Sequence, residues 1–188
     1  MRVRIEAMFV TMQSSFPRSS GRSAAVAFSI ARLAMEDATA AKGPLERGSD
    51  LCMVTNMASM RTLIQGLLGS VRAQLGDLPG GLVGWDQALA GAHAMGDRYG
   101  EALTLWGRAR GVVRQPSPDW NSALVDLDRA AELFEAMEAR PSLARALHDR
   151  AQVLSALGRA DEAADVGRRS DNLARELGLK DLPISQAG

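Results

Sequence analysis

Between Pro118 and Leu179 small and apolar residues return every three or four positions, and the pattern breaks about every twenty residues at proline or glycine. That spacing predicts short helices joined into hairpins. In the first of them, Trp120, Leu124, Leu127, Ala130, Leu133, Phe134 and Met137 share one stripe, and the helix runs to about Ala139. Asp119 or Ser117 suits its N-cap. A second helix starts at Pro141 and carries Leu143, Leu147, Ala151 and Leu154 to Leu157. Gly158-Arg159 breaks it. Asp161 is expected to cap a last helix that ends at Leu177, with Gly178 as its stop.

The same rhythm extends upstream. A helix over Ser59 to Leu75 presents Leu63, Leu67, Leu68 and Val71, and Gly76-Asp77 stops it. Pro79 fits the first turn of the next helix, which carries Leu82, Trp85, Leu89 and Ala92 to Met95. Gly96-Asp97 ends that one. Tyr99 to about Val113 follows, with Leu103, Trp106, Ala109 and Val113 apolar, and then a loop with Pro116 and Pro118. Before residue 59 the pattern weakens. Ala24, Ala27, Phe28, Ala31 and Met35 form a stripe, Ala40 to Pro44 is expected to interrupt it, and Leu45 to Met57 offers Leu51, Val54 and Met57 as core positions. Residues 1–21 have no stable period and read as a poorly ordered basic leader. Residues 22–179 read as the helical repeat domain, clearest from about 60 to 179, and 180–188 as a tail.

The helix pairs align on small residues. Gly69, Gly107 and Ala151 are matched in the first helices; Gly81, Ala123 and Ala163 in the second. Trp85, Leu127 and Gly167 follow, then Ala88, Ala130 and Ser170. Small side chains let the two helices of a hairpin approach, and a larger residue four positions on fills the groove. This alignment places about four extra residues in the Pro116 loop.

Leu68-Gly69, Leu75-Gly76-Asp77, Gly81, Trp85 and Ala88 together resemble the tetratricopeptide repeat. Trp106-Gly107, Ala123, Leu127 and Ala130 make a second copy; Leu157-Gly158, Ala163 and Ser170 a third. Gly167 departs from the pattern, where the family has a bulky residue. The resemblance implies an all-α array of antiparallel helix hairpins, about three and a half to four in number, wound as a right-handed solenoid. The stretch ALVDLDRAAELFEAMEARPSLARALHDRAQVLSALGRADEA is also similar to the C-terminal helical arrays of large bacterial signalling and transcriptional regulators that carry ATPase modules.

Composition narrows the chemistry. Lys plus Arg equals Asp plus Glu, at 22 each, and aromatics are 4% of 188 residues. A neutral chain poor in aromatics argues against nucleic acid as partner. Arg108/Arg110 and Arg168-Arg169 are interleaved with acids and read as solvated helix faces, with RNA as the sharper alternative. The single cysteine, Cys52, excludes an internal disulfide framework and a Cys-rich zinc site, and its apolar neighbours suggest a buried thiol. No apolar run is long enough to span a membrane. The arginines of the first 34 residues give a faint targeting-peptide composition, without a clear cleavage site, and Met8, Met12 and Met35 are alternative starts. A cytoplasmic setting is expected.

No nucleotide-binding glycine loop is present; Gly80-Gly81 and Gly84 read as close packing. His93 and His148 stand apart, and Glu36-Asp37 and Asp161-Glu162 read as helix-end charges. The expectation is therefore no enzyme, no catalytic residue, no metal and no cofactor. A protein or peptide partner is expected instead, with self-association through the N-terminal end. By the phase of the resemblance, the groove-facing residues are Gln74, Glu101, Thr104, Arg108, Arg145, His148 and Gln152. Arg108 and Arg145 are assigned to carboxylates of an extended peptide or partner helix. The function expected is an interaction scaffold in bacterial signalling or regulation. The alternative is a detached regulatory tail of a multidomain cyclase or ATPase-type regulator.

Overall fold

The computed structural model describes residues 38–54 and 58–179. Among the described residues lie seven helices: α1 (Ala38–Val54), α2 (Ala58–Gln74), α3 (Leu78–Met95), α4 (Arg98–Val113), α5 (Trp120–Ala136), α6 (Arg140–Ala156) and α7 (Ala160–Leu177). The leader, the stripe from Ala24 to Met35, Met57 and the tail lie outside the described residues, as do the side chains of Leu51, Cys52 and Val54. The chain divides into two compact units, Met1–Gly91 and Ala92–Gly188, with the boundary inside α3.

In the first unit α1 packs on α2. Ala38, Ala41 and Leu45 meet Ile64, Leu68 and Val71, all buried. The break expected at Ala40 to Pro44 does not occur. α1 runs through it, because Pro44 removes one helical hydrogen bond while Ala41 and Leu45 on either side are fully buried. Leu63 and Leu67 are half-buried at the rim, and Ile64 takes the central place. α2 and α3 approach until backbone meets backbone. A Cβ on Gly69 would lie 2.8 Å from the Gly81 carbonyl oxygen and 2.8 Å from Trp85 Cδ1. Trp85 is fully buried there, and its Nε1–H donates to Ser70 Oγ at 3.3 Å. Leu82 and Met95, expected in the core, are exposed.

In the second unit α4 packs on α5, α5 on α6 and α6 on α7, and α4 also touches α6. Ala109, Ala123, Leu124, Leu127, Val153 and Leu154 form one buried cluster. Phe134, fully buried, takes the ring of Tyr99 edge-on at 5.8 Å and that of Trp106 at 6.4 Å. α7 buries little apart from Ser170, Asp171 and Ala174, and Ser170 Oγ donates to the Ala144 carbonyl at 2.8 Å. Charged side chains tie it to its neighbours. Arg169 reaches Glu135 of α5, Glu176 receives Arg140 of α6, and Arg168 pairs with Asp165. At its start Arg159 donates two bonds of 2.6 Å to Glu162 and holds that carboxyl below the usual range. Such a contribution is present above the ordinary glutamate range and fades as pH falls through the lowered value.

The stops are where glycine was expected. Gly76, Gly96, Gly158 and Gly178 have φ of 88°, 65°, 75° and 63°. At the end of α5 a glutamate does this instead: Glu138 has φ 54°, a conformation most side chains disfavour. Asp97 and Asp119 cap α4 and α5, accepting from Gly100 N at 2.8 Å and Ser122 N at 3.0 Å. α7 departs from expectation: its N-cap is Arg159, and Asp161 lies in the first turn.

Counted from the helix starts, the three helix pairs keep nearly the same register. Gly81, Ala123 and Ala163 are each the fourth residue of α3, α5 and α7; Trp85, Leu127 and Gly167 the eighth; Ala88, Ala130 and Ser170 the eleventh. The first helices differ from the sequence alignment at one place. Gly69 and Ala151 are the twelfth residues of α2 and α6, and the twelfth of α4 is Ala109, fully buried, whereas Gly107 is half-buried. Six residues separate α4 from α5, where three separate α2 from α3, and α4 is one residue shorter than α2. The net excess in that hairpin is two residues, not four.

Two glycine substitutions test this packing in opposite directions. Gly69→Ala is expected to cost about 1–3 kcal/mol, because its methyl has nowhere to go. Gly167→Ala should add about 0.5–1 kcal/mol, the helix-propensity difference, since its Cβ would meet only Ala151 Cβ at 3.9 Å. Urea denaturation of both variants decides it, and loss of stability at position 167 would show that the eighth place of α7 is not open.

Candidate partner-binding cleft

The second unit holds a cleft of about 610 Å³ walled by α4 on one side, α6 on the other and the start of α5 at its floor. Arg145, His148 and Gln152 line it from α6. Trp106, Arg110 and Arg114 line it from α4 and the turn beyond, and Trp120 from α5. Three of the seven residues expected in a groove therefore come together here. Three others do not reach it, and Gln74 belongs to the first unit.

Glu101, Thr104 and Arg108 sit on a different face of α4. Glu101 is nearly buried, and its Oε1 lies 3.3 Å from Arg129 Nε and 3.5 Å from His93 Nε2. Thr104 is buried and donates to the Gly100 carbonyl at 2.8 Å. Arg108 forks onto Asp126 of α5 with two bonds of 2.7 Å, Nε to Oδ2 and Nη2 to Oδ1. Asp126 is 3% exposed. This is a planar bidentate pair at a helix crossing, and its guanidinium is committed inside the chain.

The misplacement has a single cause. Arg145, His148 and Gln152 are residues 6, 9 and 13 of α6, and the same places in α4 are Leu103, Trp106 and Arg110. Matching Gly107 to Ala151 slipped the register by two. Two residues turn a helix by about 200°, so Glu101, Thr104 and Arg108 lie on the face of α4 almost opposite the one that lines the cleft. The cap would have corrected this: counting from Asp97, visible in the sequence as Gly96-Asp97, places Ala109 against Ala151.

Asp149 is the cleft residue that the sequence did not single out. It projects from α6 beside Arg145, His148 and Gln152 and is about one-quarter exposed. Its Oδ2 accepts from Trp106 Nε1–H at 2.6 Å and lies 3.6 Å from Arg110 Nε. Arg110 in turn lies over the Trp106 ring, with Cζ 5.4 Å from the centroid, an arrangement in which the ring quadrupole attracts the cation. At 3.6 Å the Arg110–Asp149 contact is an ion pair without a hydrogen bond. Arg110 thus keeps its N–H donors available, in contrast to Arg108 two residues earlier. His148 Nε2 and Gln152 Nε2 are 2.8 Å apart on the same wall. Three arginines against one aspartate give the lining a formal charge of +2 with the histidine neutral.

Among the described residues no group of three or more His, Cys, Asp or Glu side chains is placed to hold a metal ion. Nor is any of these helices long and apolar enough to cross a membrane. No protein-family model matches the chain, and no curated protein matches it.

The two neighbouring arginines should behave differently on truncation. Arg108→Ala strands the buried Asp126 carboxylate and is expected to cost about 2–4 kcal/mol. Arg110→Ala is expected to cost about 1 kcal/mol or less. Equal losses in chemical denaturation would mean that the Arg108–Asp126 pair is not the one that holds α4 to α5.

Proposed function

We propose that the chain is a protein–protein interaction scaffold whose hairpins are of the tetratricopeptide type, and that the α4/α6 cleft receives an extended peptide or a partner helix. The right-handed solenoid implied by the resemblance belongs to this reading, as does a role in bacterial signalling or regulation. One observation carries it: α4 and α6 hold matching places, residues 9 and 13, against one cleft, and fill them with Trp106, Arg110, His148 and Gln152. Indole rings supply apolar area and arginines supply forked donors, the two residue types that most often anchor a bound partner. The repeated left-handed closures and the small residues at each hairpin crossing support the repeat part of the proposal.

The lining favours an occupant with a carboxylate, because Arg110, Arg114 and Arg145 outnumber Asp149. Arg145 retains the role given to it from sequence, and Arg110 takes the place of Arg108. The test is a titration of the purified chain with fluorescein-labelled, end-blocked acidic peptides. Arg110→Ala with Arg145→Ala should weaken binding by about tenfold or more and lower the thermal midpoint by no more than about 5 °C. An unaltered affinity, or a parallel fall in affinity and midpoint, would remove the cleft from the partner-binding role.

A further inference from the structure

A cleft that attracts carboxylates with three arginines gains nothing obvious from an aspartate in the same wall. Asp149 is nonetheless there, and it is held by both arms of α4 that face it: the Trp106 indole N–H at 2.6 Å and Arg110 at 3.6 Å. Each contact has a separate consequence. The Trp106 bond fixes the indole, whose outer face carries the Arg110 guanidinium. The longer Arg110 contact orients the guanidinium without occupying its donors. Asp149 also sets the charge of the site. With it the lining carries +2, and without it +3.

We propose that Asp149 is the specificity-determining residue of the cleft, and that the occupant is a peptide segment with one carboxylate flanked by apolar side chains. This inference rests on the peptide-binding reading above. One carboxylate reaches the Arg110 fork while an apolar neighbour lies against Trp120 and Val113, which share the cleft. A second adjacent carboxylate is brought towards Asp149 in a partly desolvated wall, and like charges there are disfavoured. The other charged or titratable groups of the lining are Arg145 and His148 on α6 and Arg114 beyond α4. They attract any acid, so they do not distinguish one carboxylate from two. Asp149 is the negative group of this lining that does.

The test uses two end-blocked, fluorescein-labelled peptide sets on the full chain. One set has a single glutamate between leucines; the other has two adjacent glutamates between the same leucines. Wild type is expected to prefer the singly acidic set. Asp149→Asn keeps an acceptor for Trp106 and removes the charge. It should shift the affinity ratio towards the doubly acidic set by roughly tenfold. Asp149→Glu should restore the wild-type ratio. A merely structural role would lower both affinities together and leave their ratio unmoved, and that result would overturn the proposal even with the peptide reading intact. A wild-type preference for two carboxylates overturns it without any variant. Absence of binding to either set overturns both the proposal and the peptide reading beneath it.

Discussion

Everything in these hairpins depends on how closely two helices can pass. At the α2/α3 crossing the limit is backbone on backbone: Gly69 and Gly81 each leave no room for a methyl group. Once the axes are that close, one large side chain closes the remaining space, and Trp85 does so completely. The α4/α5 crossing solves the same problem with alanines. Ala109 and Ala123 are fully buried, and Leu127 stands where Trp85 does. In α7 the filler is missing at Gly167, and Ser170 compensates in part by bonding to the Ala144 carbonyl across the crossing.

The close crossing then decides which polar groups are structural and which are left to act. α4 shows this most plainly. Its Arg108 side faces α5 and must satisfy a buried carboxylate, so the guanidinium is locked bidentately. Its Arg110 side faces α6 across a wider gap, since α4 and α6 only touch. There the charges are arranged loosely around indole rings. Two arginines with identical chemistry and nearly identical sequence context thus have different surroundings, set by about 200° of helix rotation.

This rotation also explains what the sequence does and does not convey. Helix limits were legible to within about one or two residues at α2 to α4, α6 and α7, because glycine and aspartate mark the turns directly: Gly76, Gly96, Gly158, Gly178 and Asp97. The end of α5, expected at about Ala139, falls at Ala136, since no propensity marks the left-handed Glu138 that closes it. Arg145, His148 and Gln152 were placed together by the correct phase of α6. Glu101, Thr104 and Arg108 fall outside the cleft because matching small residues sets the wrong register in a hairpin with two extra residues. A glycine can stand in several places of a helix; a capping aspartate stands at its start. Asp149 was illegible for another reason. Its meaning comes from Trp106 and Arg110, about forty residues away in sequence and joined to it only by the fold.

The three tryptophans described above are also three different environments. Trp85 is fully buried in the first unit against glycines and a serine hydroxyl. Trp106 is bound to a carboxylate in the cleft, and Trp120 is half-exposed at its floor. The molecule therefore carries its own spectroscopic labels, one for the first unit and two for the second. An indole sealed from water and an indole beside a wet cleft differ in emission and in access to quenchers. Trp106 and Trp120 line the cleft, and Trp85 does not. These signals need no chemical modification of the chain.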